Sequence, residues 1–538
     1  MRICKKGIAF ILTMALMLGG IVFAPTESEA AKKPKLSRKK VSIQAGESKT
    51  IKVVKAKGWK LTWKSKSKKV AKVSQKGKYS AKIRAVKKGK TTVSCRVKKG
   101  KKKYTLKCAV SVYNKKATAS PTPRTSAKPS SPSTPTDNKP QNSPPAEDKL
   151  ISDSILENYR NIFPNLGNCV NYGNPSQLQD EETLAFVKKH FNSITLENEM
   201  KPEAVLSSKK ISVEDAKALG YVIPNNYAEA KVPQLNFDKI DKVLQIAYDN
   251  RLRMRAHTLL WHSQTPAWFF ATNYSGSTKV STSVMDARLE FYVRSVMKHV
   301  MEKEKEIAGN AGSVVYAWDV VNEYLHRPSF AWQLTWTSVY GDMGASPSYV
   351  KKAFEIAYDM LEKYGVQDSV TLFYNDYDTY FGVDNTIKLV KFINKDEKAN
   401  ICGGIGMQSH IDIKRPTIDE YSKALDAFMA TGLEVQITEL DFTINFDTDG
   451  SSPSYDYKNE GETIDEQAEF VGDFMTMVTK KQINRNKNVS PKGITGVTLW
   501  GLYDSISWRS KCQPLLFGES INNPKPAFQA FLQASLSK

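Results

Sequence analysis

Cysteine is scarce in this chain. There are six in 538 residues, at positions 4, 95, 108, 169, 402 and 512, and none are grouped at metal-ligand spacing. That excludes a disulfide-built miniprotein and a Cys-based zinc module. Past residue 23 no apolar run reaches the ~18 residues of a spanning helix, which excludes a multi-span membrane protein. Acidic residues are nearly missing from one region: residues 32–116 hold 32 Lys or Arg against a single acid, Glu47. Residues 151–538 hold 40 basic and 49 acidic side chains. The net charge of +24 therefore joins a small basic module to a large, mildly acidic one. The length exceeds one ordinary globular core, and the 41% hydrophobic content is enough to fold more than one.

The N-terminus reads as an address. Arg2, Lys5 and Lys6 precede an apolar run over 8–23, interrupted by Thr13, Gly19 and Gly20. Ser28-Glu29-Ala30 then supplies small residues three and one positions before a cut. Residues 1–30 are expected to be a secretory signal, with a retained membrane anchor as the alternative. The expected location is outside the cell, with attachment to the wall as a further option.

Residues 35–113 alternate apolar and polar positions over short stretches such as Thr50-Ile51-Lys52-Val53 and Ile83-Arg84-Ala85-Val86. Short strands at this spacing predict a small β-sandwich. Cys95 and Cys108 flank the turn-like Lys99-Gly100-Lys101-Lys102, and pairing about it is expected to set them opposite each other, as a disulfide or as two buried thiols. The run Thr62-Trp63-Lys64-Ser65-Lys66-Ser67-Lys68-Lys69-Val70-Ala71-Lys72-Val73, with Ala85-Val86-Lys87-Lys88-Gly89, resembles bacterial immunoglobulin-like domains of group 2. The lysines coat exposed faces, either as a solvated surface or as a grip on an anionic cell-wall polymer. No reading helix or aromatic-laced groove accompanies them, so nucleic acid is not an expected partner. Residues 117–149, rich in Pro, Ser and Thr, read as an extended linker.

From residue 150 to 536, strand-like and helix-like segments alternate. Strands are expected at 165–171, 192–197, 252–257, 314–320, 370–375, 403–408, 434–438 and 495–500. Amphipathic helices are expected at 237–250, 286–300, 349–364, 417–431 and 464–480. Eight repeats of strand and helix predict an α/β fold of the (β/α)8 TIM barrel type. Nearly every strand ends in polar or aromatic residues, and in such a barrel these ends converge on one mouth. Four ordered blocks carry a strong resemblance: His257-Thr258-Leu259-Leu260-Trp261-His262-Ser263-Gln264, Trp318-Asp319-Val320-Val321-Asn322-Glu323, Tyr374-Asn375-Asp376-Tyr377 and Ile437-Thr438-Glu439-Leu440-Asp441. They look like glycoside hydrolase family 10, the endo-β-1,4-xylanases, over about 155–535.

Cleaving a glycosidic bond takes two carboxyls, one to protonate the leaving oxygen and one to support the cation-like sugar. Glu323 and Glu439 end strands four and seven and can face each other. The resemblance implies that Glu323 is the acid/base and Glu439 the nucleophile, ~5–5.5 Å apart if configuration is retained and wider if it inverts. It also implies that Asn322 binds the 2-hydroxyl of the reacting sugar, and that His410 sits beside the nucleophile with Asp441 orienting it. Glu197, Asn198 and Lys201 are expected to hold the next sugar toward the nonreducing end, with His257, Trp261 and Gln264 on the same side. Trp500 and Trp508 are expected to stack on sugar faces. Asn375, Tyr377 and Gln408 are expected in the cleft, Trp318 in the core, and Asp319 is read as bracing a loop.

Two departures stand out. The family often has Trp where this chain has Pro202, and the stretch 205–235 is long, read as an added loop over the nonreducing side. Residues 445–463 are a second loop expected near the mouth. No cofactor and no metal is implied, and a monomer acting on xylan or a related β-1,4-linked polysaccharide is expected. The alternatives are a β-1,4-glucanase or mixed glycanase, a non-catalytic polysaccharide-binding barrel, and a structural wall protein.

Overall fold

The computed structural model describes residues 34–113 and 151–537, apart from 37–39, 45, 47, 55, 57, 101, 174–175, 328–332 and 446–461. The expected export signal, the linker at 117–149 and most of the 445–463 loop lie outside the described residues. The chain divides into two compact units, Met1–Asn142 and Ser143–Lys538.

The first unit packs two four-stranded sheets. One has the order β1 (Lys35–Leu36), β3 (Ser48–Val54), β6 (Ser80–Ala85), β5 (Ala71–Gly77); the other runs β2 (Lys40–Gln44), β8 (Lys102–Tyr113), β7 (Gly89–Lys99), β4 (Lys60–Ser65). The period-2 pattern explains both faces. In β6, Ala81, Ile83 and Ala85 are buried while Lys82 and Arg84 between them are exposed. Ile43, Ile51, Ile83, Val93 and Val110 share one core with Cys108; Cys95 and Val97 belong to a second cluster. The hairpin register corrects the expected placement of the thiols. Gly100, at φ 56°, turns the chain so that Lys99 meets Lys102. Cys95 then faces Leu106 and Cys108 faces Val93. Both cysteines are free and buried.

The second unit contains a closed barrel of eight parallel strands with helices around it. In chain order the strands are β9 (Asn165–Val170), β10 (Ser193–Leu196), β11 (Leu206–Ser212), β12 (Lys231–Leu235), β13 (Arg253–Trp261), β14 (Val315–Asn322), β15 (Thr371–Asp376), β16 (Gly404–Met407), β17 (His410–Asp412), β18 (Glu434–Thr443) and β19 (Ile494–Leu499). The barrel is β9-β10-β13-β14-β15-β16-β18-β19, and β19 pairs with β9 to close it. Strands covered on both faces need no alternation, and β9, β10, β14, β16 and β19 are buried at every position. Helices Asp238–Asp249, Thr282–Ala308, Ser348–Tyr364, Ile418–Met429 and Ile464–Asn484 cover the expected positions. The second is longer than expected because Ser281 caps its start and Gly309, at φ 83°, ends it.

Two features escaped the strand–helix pattern. The 205–235 stretch is not a simple loop: β11 and β12 pair antiparallel, with the helix Val213–Ala218 after β11. Fully buried Arg288 anchors this ribbon through Glu229 and donates to the carbonyls of Phe269 and Ala271 at 2.6 and 3.0 Å. Inside the barrel, buried Arg255 forms an ion pair with buried Asp319 and donates to Gln436 at 3.1 Å. Asp319 therefore braces the barrel interior, not a loop. Gly406 lies beside this pair, where an added Cβ would stand 2.4 Å from Asn375 Oδ1.

Candidate active site

The barrel order places the two glutamates. Going round from β14, which Glu323 directly follows, to β18, which carries Glu439, only β15 and β16 intervene on one side; β13, β10, β9 and β19 lie on the other. A line across the mouth through the two carboxyls therefore separates the groups after β10 and β13 from those after β15 and β16. A cavity of about 850 Å³ opens at these strand ends. Glu197, Asn198, Lys201, His257, Trp261 and Gln264 line it on the first side, Tyr377 and Gln408 on the second, with Asn322, Glu323, His410, Glu439, Trp500 and Trp508 completing the wall.

Glu323 is held in a left-handed backbone conformation, φ 56°, with its N–H donating to the Asn375 carbonyl at 2.8 Å. Such a conformation costs of order 1–3 kcal/mol for a residue with a side chain. It aims the carboxyl into the cavity, where Oε2 accepts from Trp261 Nε1 at 2.8 Å and Oε1 from Gln408 Nε2 at 2.9 Å. Asn322 Nδ2 lies 3.2 Å from the same Oε1. Burial pushes this carboxyl up to about 7; the Gln408 hydrogen bond opposes the rise, and the charges of Asp376 and Glu439 add to it. His262 Nε2 stands 3.9 Å away, and burial pushes that imidazole down to about 4, so it is neutral near pH 7.

Glu439 is the opposite case. Burial would raise its pKa, but His410 Nε2, 3.2 Å from Oε2, and the fields of His257, His410 and Lys201 hold it down to about 2. Asn375 Nδ2 donates to its Oε1 at 2.8 Å. His410 Nδ1 sits 2.9 Å from Asp441 Oδ2, and although burial works against its charge, Asp441 carries His410 up to about 9. Asp441 also receives Trp508 Nε1 at 3.3 Å and Arg509 at 3.2 Å. Two carboxyls at one mouth are thus driven apart by their surroundings, one keeping its proton up to about neutral pH and the other ionised there.

On the first side, Lys201 Nζ donates to Asn198 at 3.2 Å and Gln264 at 3.0 Å, 4.8 Å from the centre of the Trp261 ring. Burial raises the Glu197 pKa, with Lys201 opposing. Trp508 is 39% exposed, its ring 4.9 Å from that of His410, whereas Trp500 is 7% exposed and offers little more than an edge, its ring set nearly perpendicular to His257. Trp318 is core, as expected.

Two expected site residues lie outside the cavity wall. Asn375 is fully buried beneath it, its amide shared between Asn322 Oδ1 at 2.9 Å and Glu439, so it reaches a carboxylate and not a sugar. Asp441 is likewise buried and acts on His410. Residues that sequence reasoning passed over include His326, which pairs with buried Asp376 at 2.8 Å and stacks on Tyr377 at 4.0 Å. Tyr380, Phe381, Asp412 and Arg415 also line the cavity. Tyr380 and Phe381 follow β15 and Arg415 follows β17 in loops, and Asp412 is the last residue of β17, so no periodicity marks them; the only cue was their position at strand ends. Among the described residues, no group of His, Cys, Asp and Glu is arranged to hold a metal ion.

The profile of glycosyl hydrolase family 10 matches residues 154–534, and that of the bacterial Ig-like domain, group 2, matches residues 30–108. The chain belongs to glycosyl hydrolase family 10. It is 41% identical over 388 residues to endo-1,4-beta-xylanase A of Butyrivibrio fibrisolvens, covering 71% of this chain and 84% of that one. It is 33% identical over 355 residues to endo-1,4-beta-xylanase B of the same organism, of whose length the match spans 48%. Among solved family 10 structures, the N-terminal part of Clostridium thermocellum endo-1,4-beta-D-xylanase 10B, complexed with xylohexaose, superposes with a TM-score of 0.55. Identity there is 29%, over 72% of this chain and 68% of that chain. A xylanase containing a bacterial Ig-like domain, from termite gut, shares the fold over 92% of this chain and 98% of its own, with a TM-score of 0.52 at 20% identity.

Proposed function

We propose that this family 10 barrel is an endo-1,4-β-xylanase that hydrolyses internal xylosidic bonds of xylan with retention. The observation that carries the reading is a pair of glutamates on one cavity wall in opposed settings, Glu323 against Trp261 and Gln408 and Glu439 against His410 and Asn375, which push the first carboxyl up and hold the second down. Glu323 holds the proton that the leaving glycosidic oxygen needs, and Glu439 is the ionised nucleophile that attacks the anomeric carbon. The covalent glycosyl-enzyme is then hydrolysed by a water that gives its proton to Glu323, restoring both groups. Asn322 is placed to hold the 2-hydroxyl of the reacting sugar, a contact that gains strength as charge develops. Protein groups on both sides of the carboxyl pair support internal rather than terminal cleavage.

The sugar bonded to Glu439 and its nonreducing neighbour are assigned to the Glu197, Asn198, Lys201 and Gln264 side, and the leaving part of the chain to the Tyr377 side. All of these groups come from one barrel, so a monomer is complete. Export is the reading that the basic and apolar N-terminal segment supports, and the lysine-coated faces of residues 35–113 are suited to an anionic wall polymer. Reducing-sugar release from xylan and from cellulose tests the activity. Wild type should act on xylan, and E323Q and E439Q should be nearly inactive; release from cellulose alone would overturn the substrate. Binding of the full chain to anionic wall polymer should weaken as salt rises and disappear in a chain lacking residues 35–113.

A further inference from the structure

The cavity wall beyond β15 and β17 carries a cation, Arg415, that the chemistry of the carboxyl pair does not use. Arg415 is exposed, and its guanidinium lies 4.6 Å from the centre of the Phe381 ring, which is itself 45% exposed. Both residues line the cavity, on the side of the carboxyl pair opposite Lys201. The other cations lining the cavity are committed: Lys201 to Asn198 and Gln264, Arg509 to Asp441, and His410 to Asp441 and Glu439.

Arg415 is held in place from below. Its backbone N–H donates to the Asp412 carbonyl at 2.9 Å, and the Asp412 N–H returns a bond to the Arg415 carbonyl at 3.2 Å. The Asp412 carboxylate is occupied by the Lys414 N–H at 3.1 Å and the Thr443 hydroxyl at 3.0 Å. In the loop after β15, Asp378, which also lines the cavity, accepts from the Tyr380 hydroxyl at 2.7 Å. Neither acid forms an ion pair with Arg415 among the described residues.

A guanidinium laid on an aromatic face keeps its edge N–H groups free, and that edge matches a carboxylate in two parallel hydrogen bonds. We infer that Arg415, seated on Phe381, is a specificity residue that reads a carboxylate-bearing branch, a uronic acid, on the leaving side of the xylan chain. The ring supplies the plate for the branch sugar or its backbone unit, and Arg415 supplies the charge. The inference rests on the xylanase reading above.

The test compares kcat/KM on a uronic acid-branched xylan with kcat/KM on the same xylan after its carboxyls are reduced to alcohols. Wild type should prefer the charged substrate, and the preference should shrink with added salt. In R415Q the ratio should fall roughly fivefold, the upper end for an exposed ion pair. R415K should recover part of it, since it keeps the charge but not the fork. Equal ratios in wild type and R415Q would overturn the inference while leaving the xylanase reading intact. No hydrolysis of either substrate by wild type would remove both.

Discussion

Replacing Gln408 with Met should move the alkaline limb of activity upward by roughly one pH unit. Gln408 donates to Glu323 Oε1 at 2.9 Å, and that bond stabilises the carboxylate over the carboxylic acid. Methionine keeps the length and removes the donor. Asn322, which also receives Gln408, retains Asn375 as a donor at 2.9 Å, so the perturbation stays local to Glu323. A hydrogen bond to a charged group contributes about 1.5–3 kcal/mol, and one pKa unit corresponds to about 1.4 kcal/mol. Trp261 still serves Oε2, so the lower end applies. Glu323 works as an acid and must be protonated, so activity is lost as pH rises through its pKa. The wild-type limb should lie near 7, and that of Q408M near about 8. The assay is kcat/KM on a xylo-oligosaccharide across pH. A limb that stays in place, or moves down, would mean that Gln408 does not set the acid and that the assignment of Glu323 is wrong.

Three further outcomes are expected. In E323A, an aryl xyloside whose phenol leaves without a proton should lose far less rate in the first step than xylan, which should lose roughly 10²–10⁴-fold; equal losses would contradict an acid role. His410 is charged in the folded protein up to about pH 9 against an unfolded value near 6.5. Its stabilising contribution is full below about 6.5 and is lost as pH rises through about 9, so the calorimetric Tm gap between wild type and H410Q should close over that window. R255M leaves Asp319 buried without its main partner, and urea unfolding should show a loss of about 3–5 kcal/mol; R255M/D319L should be less destabilised than R255M alone.

The barrel was legible because its strands are short apolar runs ended by polar blocks, and each block falls at a barrel mouth. The same logic found the Glu323 and Glu439 pair, whose chemistry is written in residue type and order. What lies beneath the mouth was not legible. Asn375 reads like a cleft amide, but burial turns it toward Glu439. Asp319 and Arg255 form an ion pair across 64 positions that no local pattern announces. The register of the Cys95 hairpin depended on a two-residue shift about Gly100, which period-2 alternation cannot distinguish because both registers keep the same faces. The ribbon over 206–235 looked like a long loop because its strands carry exposed Lys209 and Lys231, and because half-buried Lys210, whose ammonium lies 3.6 Å from the centre of the Trp268 ring, breaks the apolar pattern of the inner face.

Two acids with opposed protonation act in turn on one xylosidic bond, through a covalent sugar on Glu439. Proton NMR of a xylo-oligosaccharide during the first moments of hydrolysis tests it most directly, by reading which anomer forms before mutarotation. The β anomer is predicted; an initial α anomer would contradict it.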